Sequence, residues 1–562
     1  MTPPPGRHLA ARRRRRARRA RQLRALGLLV AVVGLVVALA VGLAGGLGGG
    51  GAGRRHPGSS PASAGLGPGA HVGKHAKAPA AGTSVGPYGV TAAWVIKENQ
   101  KKGTGAWHLT RPASGGQIAG YSNTVSINEG GAVDLYVSTT SATYSVIAYR
   151  MGWYGGAEGR QIWVSGPVPG RAQPTCPVLA PTNTVECHWT DPLHVQTTVA
   201  GWPQGDYLFK LTAASGYQSY IPLTIRNDAS HSAYLIQNDV TTWQAYNLYG
   251  GYDLYQGPAT PGSSTLANRS RIVSFDRPYA SNYGASDFIG LELKLVALAE
   301  SRGLDVSYTT DVNVNERPSL LLNHQAFVSL GHDEYWSRTQ RNAVVAARAH
   351  GVNLFFMGAN AIYRPIRFES SPLGPDRLEV DYKNALEDPL YGKNNSLVTP
   401  WAWRDPPLND PESTILGEEW QCNPVRANMV VTDPTAWIWG GLHLAAGTQL
   451  PNVVGPEYDH YSPNQPSPPN VQIVAASPVT CNGVPHQADF TYYTWHGSGA
   501  GVIDTGTIDW VGFLAPVCDR TCPEVNRVVT DATLNILRVF GEAPAGRKYP
   551  SVSNYASIPH VP

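Results

Sequence analysis

Ala326-Phe327-Val328-Ser329-Leu330-Gly331-His332-Asp333-Glu334-Tyr335-Trp336-Ser337 is the stretch that decides the fold. Five mostly apolar residues run into Gly331, as a buried strand does. Ser337 then suits the N-cap of a helix reaching His350, with Gly351 as its C-cap. A second apolar strand, Val352-Asn353-Leu354-Phe355-Phe356-Met357-Gly358, follows at once. Strand, helix, strand at this spacing means a parallel sheet with covering helices.

The same pattern extends upstream. Residues 232–239 (SAYLIQND) read as a strand, 287–302 (DFIGLELKLVALAESR) as a helix ending at Gly303, and 304–311 (LDVSYTTD) as a further strand. Downstream, residues 364–520 read as irregular and rich in Trp, Pro and Asp. Scattered strands lie at 470–477 (NVQIVAAS) and 499–506 (GAGVIDTG), and a closing helix spans Pro523 to Phe540.

Residues 86–227 differ. Short runs of Val, Ile, Tyr and Thr, from VTAAWVIKE at 90–98 to SYIPLTIR at 219–226, alternate with Gly, Pro, Asn and Asp, and no helical stretch is expected among them. A β-sandwich of about seven strands is the reading. The predicted fold class is therefore α/β plus all-β: an N-terminal β-sandwich over 86–227, a parallel-sheet domain over 228–545 and a tail over 546–562.

Ahead of these lies a targeting region. Residues 1–24 hold ten Arg and no acid, and Ala25 to Leu47 is an unbroken apolar run. At about 1.5 Å per residue such a run covers roughly the ~30 Å hydrocarbon core, so a transmembrane helix over 25–47 is predicted. The Arg flank keeps the N-terminus cytoplasmic and the bulk of the chain extracytoplasmic. The rival reading is a cleaved signal peptide, which exports and secretes the same remainder. Residues 48–85, rich in Gly, Ala and Pro, read as a disordered linker. Removing the ten Arg from 44 Lys and Arg leaves 34 against 40 Asp and Glu, a balance near −6. That excludes a nucleic-acid partner, which needs a basic face.

Six Cys suit an oxidising compartment. The favoured pairing is local: Cys176 with Cys187 and Cys518 with Cys522, leaving Cys422 for Cys481. No Cys/His zinc spacing occurs.

Ligands of open α/β sheets bind beyond the carboxyl ends of the strands. That rule selects the loop Gly331 to Ser337, with His332, Asp333, Glu334 and Tyr335, and the loop Gly358 to Arg364, with Asn360 and Tyr363. The structural alternative for the first loop is helix capping by Asp333 or Glu334. Tyr246, Asn247 and Gly250-Gly251-Tyr252 follow the first strand and suit either pocket lining or loop packing. Neither strand end carries a Ser or Cys nucleophile in an elbow motif, so a metal-activated water is the expected route to hydrolysis.

GHDEYWS (331–337), FFMGANAIYRPIRF (355–368), VVGPEYDHY (453–461) and IDTGTIDWVG (503–512) together resemble the C-terminal domain of the N,N-dimethylformamidase large (beta) subunit. AYRMGWYGGAEGR (148–160) is similar to the β-sandwich that accompanies it. The resemblance implies a glutamine-amidotransferase-like (flavodoxin-like) fold and a mononuclear iron, Fe(III), held by two Tyr and one Glu. Those ligands map onto Tyr335, Tyr363 (with Tyr382 as a rival) and Glu457, with His332, Glu334 and Asn360 as catalytic candidates. The family's Gly-Asn and Tyr-Trp pairs are Ala359-Asn360 and Tyr363-Arg364 here. The implied function is hydrolysis of a linear amide in a small-molecule or cell-envelope substrate. A small partner subunit or a homo-oligomer is implied as well. The competing reading is a non-enzymatic carbohydrate- or protein-binding surface module on a degenerate catalytic scaffold.

Overall fold

A computed structural model of the chain describes residues 82–260, 264–519 and 521–560. The Arg-rich tail, the apolar run at 25–47 and all of the linker before residue 82 lie outside the described residues. Among the described residues no helix is long and apolar enough to cross a membrane. The chain is a mixed, sheet-rich protein whose two layered regions belong to one compact unit.

In the first region two sheets enclose a shared apolar core that includes Leu135, Val146, Phe209 and Ile221. One sheet joins Leu193–Gln196, Ala132–Thr139 and Ile118–Ser122. The other runs Ser126–Asn128, Gln218–Arg226, Gly205–Ala213, Thr143–Met151 and Gly159–Val164. Residues 132–139 alternate strictly between half-buried and buried, the period-2 signature of a strand with one face on a core. A Cβ at Gly120 would come within 2.7 Å of Ile221 Cδ1, so glycine sets the closeness of the two sheets.

Two expectations for this region need correction. VTAAWVIKE is not a strand throughout: Gly89–Ala92 is extended, but Ala93–Asn99 is helical. Val95 and Glu98 are its buried residues, three positions apart, so one helical face is covered rather than alternate residues. The first strand, Thr83–Gly86, also begins inside the stretch read as linker.

In the second region we number the sheet strands β1 (Tyr234–Asn238), β2 (Val306–Thr310), β3 (Ala326–Gly331), β4 (Asn353–Gly358), β5 (Gln472–Cys481), β6 (Val484–Thr494) and β7 (Gly501–Asp504). Their order is β2-β1-β3-β4-β7-β6-β5. The pairs from β2 to β7 are parallel, and β6 returns antiparallel to β7. The helices include α1 (Val240–Ala245), α2 (Leu293–Ser301), α3 (Asp311–Glu316), α4 (Arg338–Ala349) and α5 (Glu524–Phe540).

Alternate residues of the sheet go to opposite layers. Leu235, Phe327, Leu354 and Phe356 pack with Val344 and Ala347 of α4. Ile236, Val328 and Phe355 pack with α2 and α5. Both faces are therefore dry, which is why these strands read as continuous apolar runs. α4 starts at the expected cap: Ser337 Oγ accepts from Gln340 N and the Gln340 side chain accepts from Ser337 N, a capping box.

The stretch 364–520 is more ordered than its composition suggested. Arg364–Ser371 and Gly374–Val380 form a hairpin, flanked by Ile272–Ser274 on one side and Tyr335–Ser337 on the other. The three disulfides are Cys176–Cys187, Cys422–Cys481 and Cys518–Cys522, the expected local pairing.

Candidate active site

The carboxyl ends of β3 and β4 meet at Gly331 and Gly358, which face each other in register. A Cβ on Gly358 would fall 2.0 Å from the Gly331 carbonyl oxygen, so only glycine lets the two following loops leave side by side. The second loop carries backbone strain: Asn360 (φ +63°) and Ile362 (φ +55°) lie in the left-handed region. Asn tolerates that region, whereas a β-branched Ile does not. Such strain persists where the surroundings hold it, commonly at sites of function.

Glu334 is the centre of the first loop. Tyr246 donates its phenol proton to Oε2 at 2.7 Å, and Tyr255 donates to Oε1 at 2.8 Å. The two phenol oxygens are 3.0 Å apart and the rings stack at 4.7 Å. Arg364 Nε donates to Glu334 Oε1 at 3.0 Å, and His332 Nε2 lies 3.5 Å from Oε2. Burial alone would push the Glu334 carboxyl up. The charges of Arg364, His332 and Lys383 outweigh it and hold the group below its ordinary value. Tyr255 goes the other way, pushed well above the phenol range by burial and, against the pull of Arg364, by the Glu334 charge. Tyr246 is 38 % exposed, so its ring forms the open wall of the cluster.

Glu457 stands across His332, whose Nε2 is 4.0 Å from Glu457 Oε1. Three donors hold this carboxylate: Asn360 Nδ2 at 2.9 Å, Trp420 Nε1 at 2.7 Å and Asn423 Nδ2 at 2.9 Å. Its pKa is nevertheless raised, chiefly by burial. Asn360 is itself fixed from behind, its backbone N–H donating to both oxygens of Asp459 at 2.9 and 3.1 Å. Asn360 Oδ1 is buried and has no partner, leaving one acceptor for an incoming group.

The residues expected from sequence divide accordingly. His332, Glu334, Asn360 and Glu457 are brought together. Tyr335 is fully buried, and its phenol oxygen accepts from Lys383 Nζ at 2.6 Å. Tyr363 accepts from Trp401 Nε1 at 3.1 Å and packs on Trp420 with ring centroids 5.0 Å apart. Neither phenol hydrogen-bonds to the other or to Glu457. At the rival Tyr382, Arg269 donates to the carbonyl and the ring lies 5.7 Å from the Arg367 guanidinium. His460 turns away to Asp489, at 2.6 Å. Asp276 pairs with Arg377 at 2.7 Å.

Sequence reasoning missed Tyr255. It lies in the loop after β1 and α1, 79 residues from Glu334, and no motif surrounds it. The strand-end rule that selected the other two loops applies to β1 as well, and it did point to Tyr246.

The donor set can be tested against a metal. Two phenols and one carboxylate, all oxygen, within 3.0 Å of one another, suit a hard trivalent cation once the phenol protons leave. In the set Tyr335, Tyr363 and Glu457 the oxygens are held by separate partners, Lys383, Trp401 and the three donors to Glu457, and are not hydrogen-bonded to one another. Among the described residues no group of three or more His, Cys, Asp or Glu forms a metal site.

No curated protein matches the chain. Among solved structures, murine CEACAM1b is 14% identical over 19% of this chain and 52% of its own, with a TM-score of 0.12. A Paenibacillus cycloisomaltooligosaccharide glucanotransferase complexed with cycloisomaltoheptaose is 9% identical over 44% of this chain and 28% of its own, with a TM-score of 0.14. The chain thus spans about half of the first and under a third of the second. A family model settles the relationship: residues 145–524, from the middle of the sandwich to the start of α5, match it, and the chain belongs to the family described as N,N-dimethylformamidase beta subunit-like, C-terminal.

Proposed function

We propose that this chain is an extracytoplasmic, metal-dependent hydrolase of a linear amide, with iron as the metal. The observation that carries the reading is the convergence of Tyr246 and Tyr255 on Glu334. These three residues would hold the ion, in place of the Tyr335, Tyr363 and Glu457 set read from the sequence. Such an ion, when bound, supplies Lewis acidity that polarises a carbonyl oxygen and acidifies a water.

The remaining roles fall to side chains already in position. Arg364 keeps Glu334 ionised. Glu457, with its raised proton affinity, would take the proton of the attacking water and return it to the departing nitrogen. Asn360 orients Glu457 through Nδ2 and offers Oδ1 to the N–H of the amide. His332, set between the two carboxylates, would stabilise whichever one is charged.

The strand order β2-β1-β3-β4-β7 supports the glutamine-amidotransferase-like, flavodoxin-like reading of the sheet. The three disulfides support an oxidising, extracytoplasmic location. We further propose that residues 25–47 anchor the chain in a membrane. The "beta subunit" in the family description supports a small partner subunit.

The test is metal content and colour. Iron bound by phenolates gives a visible charge-transfer band, so Tyr246→Phe and Tyr255→Phe are expected to lose both band and iron. Tyr335→Phe and Tyr363→Phe should retain them. The opposite result would restore the set read from the sequence, and a colourless, iron-free wild-type protein would remove the metal altogether.

A further inference from the structure

The chain enters the described fold at a face that the site does not use. The Gly82 carbonyl accepts from Ala93 N at 3.1 Å, so the first described residue sits at the start of the helix Ala93–Asn99. The hairpin of Thr83–Gly86 and Gly89–Ala92 lies beside it. Both rest on the amino ends of the parallel sheet. Val90 N donates at 3.2 Å to the phenol oxygen of Tyr234, where β1 begins. Asp305 N, just before β2, donates to the Val90 carbonyl at 2.9 Å. The Glu334 cluster follows the carboxyl ends of β3 and β4, a strand length of about 17–20 Å away.

This face exposes large apolar side chains. Val85 is 59 % exposed, Tyr88 41 % and Ile96 43 %. Tyr88 and Ile96 adjoin one another. The Arg302 guanidinium lies 5.1 Å from the Tyr88 ring centroid, and a Cβ on the next residue, Gly303, would fall 2.5 Å from Ile96 Cγ1. The helix buries Val95 and Glu98 and turns Ile96 and Lys97 outward.

The rim is basic, although the sequence beyond residue 24 is acidic overall. Lys97, Lys101 and Lys102 are exposed. Carboxylates nearby are already met: Glu98 by Lys101 at 2.5 Å and Arg160 at 2.7 Å, and Asp531 by the charge of Arg302. Glu542, an exposed acid past the end of α5, stands at the border. Apolar side chains rimmed by Lys suit the boundary between headgroups and acyl chains, the first entering it and the second meeting phosphate. The chain outside the described fold points the same way. It arrives at this face, and 34 residues, 48–81, separate the apolar run 25–47 from it. A Gly-rich chain of that length averages about 30 Å end to end, so a bilayer holding residues 25–47 would meet this face at high effective concentration.

We infer that this face docks on a bilayer surface carrying anionic headgroups and holds the Glu334 cluster on the side away from the lipid. The tether rests on the membrane anchor proposed above, whereas the face does not. Full-length protein in phospholipid nanodiscs tests the docking. All six Cys are paired, so a single introduced thiol takes a bimane label. The label goes at Ala93→Cys on the face or at Leu386→Cys, which is 76 % exposed and three positions after Lys383. Spin-labelled lipid is expected to quench the Ala93 label at least twofold more than the Leu386 label. The difference should be larger in discs containing phosphatidylglycerol than in phosphatidylcholine alone. Ile96→Asp, and Lys97→Glu combined with Lys102→Glu, should each remove most of it with circular dichroism unchanged. Equal quenching at the two labels, or a difference that survives both variants, overturns the docking. A dimer by light scattering that Ile96→Asp dissolves, with no excess quenching at Ala93, also overturns it and makes the face a contact between two copies. Protein that does not stay in the discs counts against the anchor alone, and flotation with phosphatidylglycerol vesicles then reads the face. Flotation lost in Ile96→Asp sustains the docking, and no flotation overturns it.

Discussion

Trp420 and Glu457 are joined by a hydrogen bond of 2.7 Å from the indole N–H to the carboxylate, while the same indole packs against Tyr363. One side chain therefore both orients an acid of the cluster and walls the site. Trp420→Phe keeps the ring and removes the donor. Loss of a hydrogen bond to a charged group costs about 1.5–3 kcal/mol. The expected result is a fall of about tenfold or more in kcat for amide hydrolysis with little change in thermal midpoint. Unchanged kcat would mean that Asn360 and Asn423 suffice to place Glu457.

Arg150 of the sandwich and Glu300 of α2 are both fully buried and meet through two hydrogen bonds of 2.9 and 2.5 Å. Tyr308 donates to the same carboxylate at 2.7 Å. Breaking one side of such a pair strands a charge, at about 3–5 kcal/mol. Arg150→Met is expected to destabilise by that order in urea unfolding. Adding Glu300→Gln should recover part of the loss, because the stranded carboxylate is gone. Equal instability of the single and double variants would point to lost packing instead.

His324 is buried, and its Nδ1 faces the Ser232 carbonyl at 2.8 Å. Burial pushes its pKa down to about 4. The folded protein therefore holds a neutral imidazole that the unfolded chain would protonate below pH ~6.5. Its contribution to stability is complete above that pH and is lost as pH falls towards 4, at about 2 kcal/mol by pH 5. Urea unfolding at pH 7.5 and pH 5 should show this loss, and it should shrink by about that amount in His324→Asn. An equal acid loss in both proteins would assign it to other groups.

Where the sequence was legible, one physical signal did the work. β3, α4 and β4 were readable because the sheet buries both faces and α4 has a complete capping box. His332, Glu334 and Asn360 followed from their places at strand ends. The hairpin at 364–380 was not legible, because most of its residues are exposed or part-exposed and leave no apolar period. Tyr255 was hidden for a different reason. Its role comes from a contact across 79 residues, and nothing local to it records that contact. Tyr335 was legible as a strand-end residue, but its partner Lys383, 48 positions away, was not.

Cys422 sits between Trp420 and Asn423, two of the three donors to Glu457, and its disulfide to Cys481 ties that strand end to β5. The bond closes a loop of 59 residues, for which chain entropy gives about 4 kcal/mol. Thiol titration of the native protein should find no free thiol, since all six Cys are paired. Removing this bridge with Cys422→Ser and Cys481→Ser is expected to cost about 2–4 kcal/mol and to lower amide hydrolysis. Removing Cys518–Cys522 in the same way, a loop of only four residues, should cost less and leave activity intact. The contrast isolates position from the mere loss of a cross-link. If both double variants lose activity equally, the bridge at 422 stabilises the fold without shaping the site.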